Sequence, residues 1–228
     1  MSIRERLTVI KERINQSLKN ANRVDNVRLV AVTKTHPKHV IEEIYKAGII
    51  DVGENYVQEM ICKFDVNLPL NWHFIGTLQR NKVKYIIGKV FLIHSLDSLA
   101  LASEIDKRAG MKGIVQDALI QINQGEDTKG GKKIEEVENF LKELNNFHNI
   151  RVRGFMAIPP FFEEPEKVRR YFRELKQLRD DLNRKSCYRE PLTELSMGMS
   201  SDFEIAIEEG ATIVRIGSAL LGERKYSF

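Results

Sequence analysis

A lysine stands where a strand of small and β-branched residues ends. The stretch Leu29-Val30-Ala31-Val32-Thr33-Lys34-Thr35-His36-Pro37 runs apolar residues straight into Lys34. An ammonium is costly to strip of water, so this is an uncommon place for one. Desolvation also lowers a lysine's pKa and frees amine to act as a nucleophile, typically toward an aldehyde. Side chains alternate along a strand, so Val30, Val32 and Lys34 share one face. If that face lines a barrel, Lys34 sits at the mouth. The plain alternative is that Lys34 is the first solvated residue after the strand.

Two later stretches offer anion chemistry. Ser196-Met197-Gly198-Met199-Ser200-Ser201-Asp202 and Arg215-Ile216-Gly217-Ser218 are rich in hydroxyls and unobstructed backbone N–H groups. Ser201-Asp202 and Ser218 stand where helices would start, and the orphan amides there favour an anion. Serine and glycine also simply cap helices and turn chains, which is the competing explanation. Arg215 shares a strand face with Ile213 and Gly217 and should point inward near the same mouth. It would either pair with an inward acid such as Glu194 or Glu54, or hydrogen-bond to a cofactor ring.

These residues need elements to carry them. Short apolar runs at 28–34, 50–53, 72–75, 90–94, 117–122, 151–156, 193–196 and 212–216 read as eight strands. Segments of helical period lie between them, near 38–47, 54–63, 79–87, 97–109, 132–146, 165–184 and 201–209. Pro37 and Pro165 mark helix starts, and Gly48, Gly110 and Gly210 mark helix ends. Residues 2–20 form an extra amphipathic helix, with Ile3, Leu7, Ile10, Ile14 and Leu18 on one stripe and a Ser2/Glu5 capping box. Eight strands alternating with helices imply parallel pairing and right-handed crossovers. Eight is the number that closes a (β/α)8 TIM barrel. An open doubly wound sheet has the same alternation, but no Gly-x-Gly-x-x-Gly follows the first strand. With no Pro/Ser-rich linker, residues 1–228 are read as one domain.

In such a barrel, function gathers at the C-terminal strand ends, and the loops after strands seven and eight often bind phosphate. Lys34, Asn55, Ser200, Ser201, Gly217 and Ser218 all fall at those ends. A lysine for a Schiff base, a phosphate cradle and an arginine for a ring nitrogen are what pyridoxal 5′-phosphate requires of a protein. A sugar-phosphate aldolase also needs a lysine and a phosphate site. A first-strand lysine with no nearby acid/base pair fits that reading less well.

Bulk properties narrow the classes. The 228 residues are 42% hydrophobic and 30% charged, an ordinary soluble globular composition. No apolar run is long enough to cross a bilayer. The N-terminus is charged from Arg4 onward and lacks a signal-peptide core, so a cytoplasmic location is expected. The net charge of +4 is mild. Bases and acids interleave, as across 167–185, which indicates solvated helix faces rather than a nucleic-acid stripe. Cys62 and Cys187 show no Cys-x-x-Cys spacing and are expected to be free thiols. His36, His39, His73, His94 and His148 show no metal-ligand spacing. His73 is expected to be structural and hydrogen-bonded beside the pocket, and Trp72 and Phe74 to pack. Gly125–Lys133 does not match Gly-x4-Gly-Lys-[Ser/Thr] and is read as a mobile surface loop.

Five blocks carry a resemblance. They are Ala31-Val32-Thr33-Lys34, Gly53-Glu54-Asn55, the run from Trp72 to Lys82, Leu195-Ser196-Met197-Gly198-Met199-Ser200, and Val214-Arg215-Ile216-Gly217. With them the chain resembles, over essentially its whole length, the pyridoxal phosphate homeostasis protein family. That family resembles the N-terminal barrel of bacterial alanine racemase without its C-terminal β-domain. The resemblance implies that Lys34 holds the cofactor as an internal aldimine and that Arg215 faces the pyridine nitrogen. It implies that Ser200, Ser201, Gly217 and Ser218 hold the phosphate, with Ser196 nearby, and that Asn55 approaches the ring from the side. Ser218 stands where many members have threonine, which keeps a hydroxyl. The racemase takes its second proton-transfer group, a tyrosine, from the β-domain and a partner subunit. With the sequence ending at Phe228, the expectation is a monomeric binding protein that buffers or delivers pyridoxal phosphate with little turnover. Apo enzymes that use the same cofactor are the candidate recipients, and a weak amino-acid racemase is the alternative.

Overall fold

The apolar runs pair edge to edge in chain order until the last meets the first. A computed structural model describes residues 1–125 and 130–222. Its strands are β1 (Arg28–Val32), β2 (Asp51–Glu54), β3 (Asn71–Phe74), β4 (Leu92–Leu96), β5 (Gln116–Ile122), β6 (Ile150–Ala157), β7 (Glu194–Ser196) and β8 (Ile213–Ile216). They form a closed parallel barrel in the order β1 to β8. Closure comes from β8 pairing with β1, with Val30 opposite Arg215 and Ala31 opposite Ile216. All strand C-termini therefore open at one end of the barrel.

The helices follow the sequence periods. They are α1 (Ile3–Asn20), α2 (His39–Lys46), α3 (Val57–Lys63), α4 (Val83–Ile86), α5 (Leu99–Gly110), α6 (Ile134–Leu144), α7 (Arg169–Arg184), α8 (Phe203–Glu208) and α9 (Ser218–Leu221). α1 starts at the expected capping box, with Ser2 and Glu5 bonding each other's backbone N–H. It buries Leu7, Ile10 and Ile14 and lies outside the barrel against α8 and α9. There Arg13 forks onto Glu204 at 2.7 and 3.0 Å and covers the Phe203 ring. The structure departs from the sequence reading at several ends. β1 stops at Val32, before Lys34. The helix expected from 54 begins only at Val57, because Glu54 still belongs to β2. A 3-10 turn, Arg80–Lys82, shortens α4 to a single turn. Another, Pro165–Val168, precedes α7. Part of the expected loop Gly125–Lys133, residues 126–129, lies outside the described residues.

Alternation sorts the core into two layers. Trp72, Phe74, Phe155, Phe172 and Phe203 pack between barrel and helices. Val30, Ile75, Leu92, Leu119, Met156 and Ile213 fill the barrel interior, with Val32 and Ile158 toward the mouth. Trp72 and Phe74 thus pack, as their strand pattern implied.

The close approach of β6 and β7 depends on one glycine. Gly154 has φ of 153°, and a Cβ there would lie 1.9 Å from the Glu194 carbonyl oxygen. Backbone cannot yield as a side chain does. Gly154→Ala is expected to destabilise the fold by about 3 kcal/mol, read as a lowered urea midpoint at unchanged m-value.

Among the described residues, no helix is long and apolar enough to cross a membrane. Nor does any group of three or more His, Cys, Asp or Glu there suit a metal ion. Cys62 is exposed and Cys187 buried, both as free thiols.

Candidate functional site

Lys34 is carried on a turn that the chain holds tightly. Thr35 takes φ of 67°, a left-handed conformation that costs a β-branched residue energy. Two groups pin it. The Glu59 carboxylate accepts from the Thr35 N–H at 2.7 Å, and the Lys63 ammonium donates to the Thr33 carbonyl at 2.8 Å. Lys63 also bonds Glu54 at 2.7 Å and approaches Glu59 at 3.5 Å. Thr33 Oγ1 donates to Glu54 at 2.6 Å. This cluster is buried between β1, β2 and α3, with Glu54 fully inaccessible. Burial pushes the Glu54 carboxyl up to about 7, against the opposing pull of Lys63 and Thr33. The side chain of Lys34, two residues past inward-facing Val32, is half-buried at the mouth.

Across the β1–β8 seam lie the serine and glycine loops. Gly217 packs against Val32, where a Cβ would sit 3.7 Å from the Val32 Cβ and carbonyl oxygen. Ser200 Oγ accepts from the N–H groups of Gly217 and Ala219 at 3.3 and 3.2 Å, tying the β7 loop to the β8 loop. Asp202 accepts from the Met199 N–H at 2.6 Å and shapes the turn before α8. Gly198, with φ of 90°, lets that turn press onto α8, since a Cβ would fall 2.6 Å from that of Ala206. Ser201 and Ser218 are exposed. Among the described residues, no acceptor takes the backbone N–H of Ser200, Ser201 or Ser218. These amides and hydroxyls are donors suited to a phosphate. Asn55 is half-buried at the end of β2. Its Oδ1 is buried without a hydrogen-bond partner.

Arg215 lies beneath this mouth. Its guanidinium is buried and donates to Ser196 Oγ at 2.7 Å and to the Ala157 carbonyl at 3.0 Å. Neither Glu194 nor Glu54 is its partner: Glu194 takes the Thr212 hydroxyl, and Glu54 holds Lys63. Burial pulls the Arg215 guanidinium down to about 10, opposed by the charge of Asp202, and it remains a cation at neutral pH. Ser196, expected near the phosphate loops, stands at the end of β7. Its hydroxyl is fully buried, turned inward by β7 between Arg215 and His94.

Sequence reasoning missed what supports Lys34 and Arg215. Val57, Met60 and Lys63 share one stripe of α3, and a lysine on that apolar stripe was a readable signal. Beneath Ser196 lie two more groups, His94 and His73. His94 Nδ1 is 2.9 Å from Ser196 Oγ, and His94 Nε2 is 2.9 Å from His73 Nδ1. His73 Nε2 meets Asp51 at 3.0 Å. His73 is thus the structural, hydrogen-bonded residue expected, with its ring buried in the barrel interior between Asp51 and His94.

Burial, the largest cause, lowers both imidazoles, and that of His94 well below its usual range. An unfolded chain would take up those protons below about pH 6.5. The stability that the neutral rings contribute is therefore complete above that pH and lost as the pH falls below it. Glu54, with its raised value, acts oppositely in the same range. A difference measurement separates the two: His94→Gln should flatten the acid-side fall in urea stability between pH 7 and 5.

Comparison with known proteins places this geometry. The profile of the family "Alanine racemase, N-terminal domain" matches residues 6–225. A pyridoxal phosphate homeostasis protein of Aquifex aeolicus is 52% identical, over 99% of this chain and 100% of its own. The chain belongs to the pyridoxal phosphate homeostasis protein family. A Pseudomonas aeruginosa member is 39% identical over 99% of this chain and 97% of its own. PipY of Synechococcus elongatus, whose structure has PLP bound, superposes with a TM-score of 0.85 at 34% identity, over 97% of this chain and 100% of PipY. An alanine racemase of Clostridium difficile shares the fold alone, with a TM-score of 0.73 at 18% identity, over 94% of this chain and 56% of its own. The family's barrel is the closed barrel described above.

Proposed function

We propose that the chain binds pyridoxal 5′-phosphate at the C-terminal mouth of the barrel and buffers or delivers it, serving vitamin B6 and amino-acid homeostasis. The observation that carries this reading is the meeting, at one mouth, of Lys34, two phosphate-suited loops and a buried arginine. The relatedness to PipY, solved with PLP bound, and to proteins named for pyridoxal phosphate homeostasis supports it.

In this reading the Lys34 amine bonds to the aldehyde carbon, a C=N bond forms and the carbonyl oxygen leaves as water. The cofactor supplies the aldehyde and an electron-withdrawing ring. Ser200, Ser201, Gly217 and Ser218 bind the phosphate through N–H and O–H groups. Asn55, with its unpartnered carbonyl oxygen, flanks the ring. Arg215 faces the ring nitrogen, and Ser196 holds Arg215 rather than the ligand. A cation at that nitrogen disfavours the protonated ring needed for strong carbanion stabilisation. Holding the cofactor is therefore the role and turnover is slight. The protein acts as a cytoplasmic monomer, and the recipients are apo enzymes of the same cofactor.

The competing reading, a weak racemase on the shared barrel, is separated by one experiment. Cofactor-loaded protein is incubated with single amino-acid enantiomers in deuterated water. The expected result is negligible α-hydrogen exchange. Sustained exchange at enzyme-like rates, of order 1 per second or faster, would establish an enzyme instead.

A further inference from the structure

One connected line of polar groups runs through the apolar interior of the barrel. It starts at the N-terminal rim, where Asp51 accepts from Arg28 at 3.0 Å and from Asn71 at 3.1 Å. It continues through His73 and His94, crosses the lumen to Ser196 and ends on Arg215. Both imidazoles and Ser196 are essentially inaccessible to solvent.

The proton positions follow from the partners. Burial works against ionisation of Asp51, but His73, Arg28 and Asn71 outweigh it and hold the group as a carboxylate. A carboxylate only accepts, so His73 donates through Nε2–H. A neutral His73 must then accept at Nδ1, so His94 donates through Nε2–H. A neutral His94 accepts at Nδ1, so the Ser196 hydroxyl donates to it. The Ser196 oxygen is left to accept from the Arg215 guanidinium. Every bond points the same way, from Arg215 to Asp51, and a chain of one polarity reinforces itself.

We propose that Asp51, His73, His94 and Ser196 are positioning residues: a hydrogen-bond chain of single polarity that fixes the Arg215 guanidinium and couples the cofactor ring above it to the opposite rim of the barrel. The coupling rests on the reading that Arg215 faces the ring nitrogen; the polarity does not. Other charges acting on the chain are Arg28 and Glu194 on His73 and Asp202 on Arg215, with the Phe91 ring packed on His73.

Two measurements test it. The first is nitrogen NMR of histidine-labelled protein without cofactor at pH 7–8. His73 and His94 should both be neutral and protonated at Nε2; protonation of either at Nδ1 alone would overturn the assigned polarity. The second is a pH titration of the absorbance band of protein loaded with pyridoxal 5′-phosphate. His94→Phe leaves the Ser196 hydroxyl proton and His73 Nδ1 without partners, while the Arg215–Ser196 and His73–Asp51 bonds remain. It should move the titration midpoint by about half a pH unit and weaken binding about tenfold. His94→Gln can accept from Ser196 and donate to His73, and should restore both to within about twofold. Asp51→Asn keeps an acceptor but removes the charge, and should move the midpoint in the same direction as His94→Phe by a smaller amount. A filler role alone would lower thermal stability in these variants and leave the band unmoved, which would overturn the coupling. If wild-type protein forms no band, the site reading fails and takes the coupling with it, while the NMR result still decides the polarity. If His94→Phe does not fold, Asp51→Asn and the NMR carry the test.

Discussion

Lys34→Ala is expected to abolish both the visible band and any borohydride-stable adduct with pyridoxal 5′-phosphate. The fold should hardly notice. Lys34 is half-buried on the turn beyond the last β1–β2 pair, Val32 with Gly53, so the stability change should stay within about 0.5 kcal/mol. Residual binding would come from the phosphate loops alone. Losing the covalent bond should weaken affinity at least about hundredfold, or about 2.7 kcal/mol. Equilibrium dialysis of the variant against the cofactor measures that loss. The dissociation of the two effects is the informative part, because a misfolded variant would lose both together.

Lys63→Met is expected to destabilise the protein by about 3–5 kcal/mol at pH 8. The cause is the fully buried Glu54, which would keep its carboxylate without the ammonium 2.7 Å away. Glu54 already holds its proton up to about pH 7, and losing Lys63 raises that further. The penalty should therefore shrink as the pH falls toward 6, where the carboxyl is neutral with or without Lys63. Urea unfolding at the two pH values tests the sign. Glu54→Leu/Lys63→Met should recover most of the stability, since a buried ion pair exchanged for apolar groups is often neutral. It should not recover cofactor affinity. The bond from Lys63 to the Thr33 carbonyl would still be missing, and the strained Thr35 turn that presents Lys34 would rest on Glu59 alone.

Much of this could be read from residue order. Alternation of apolar runs and helical periods predicts eight strands and a closed barrel, because burying both faces of a parallel sheet leaves few other solutions. Lys34, the serine loops and Arg215 were legible because strand ends in such a barrel share one rim. What escaped the sequence was partnership. Arg215 had candidate acids in Glu194 and Glu54, yet it bonds a serine and a carbonyl, because barrel closure aims Glu54 outward and Glu194 toward Thr212. Ser196 belonged by sequence to a phosphate-like run, and only the inward pleat of β7 separates it from Ser200. His94 and Asp51 lie 43 residues apart in sequence and gave no spacing signal; their connection through His73 exists only once β2, β3 and β4 stand side by side.

The central claim is that one amine at the mouth holds the cofactor. Wild-type protein mixed with pyridoxal 5′-phosphate should develop a band at about 420 nm. Borohydride should then fix the cofactor, and peptide mass mapping should find it on Lys34. A fixed cofactor on any other lysine, or tight binding that leaves Lys34 unmodified, would contradict the account.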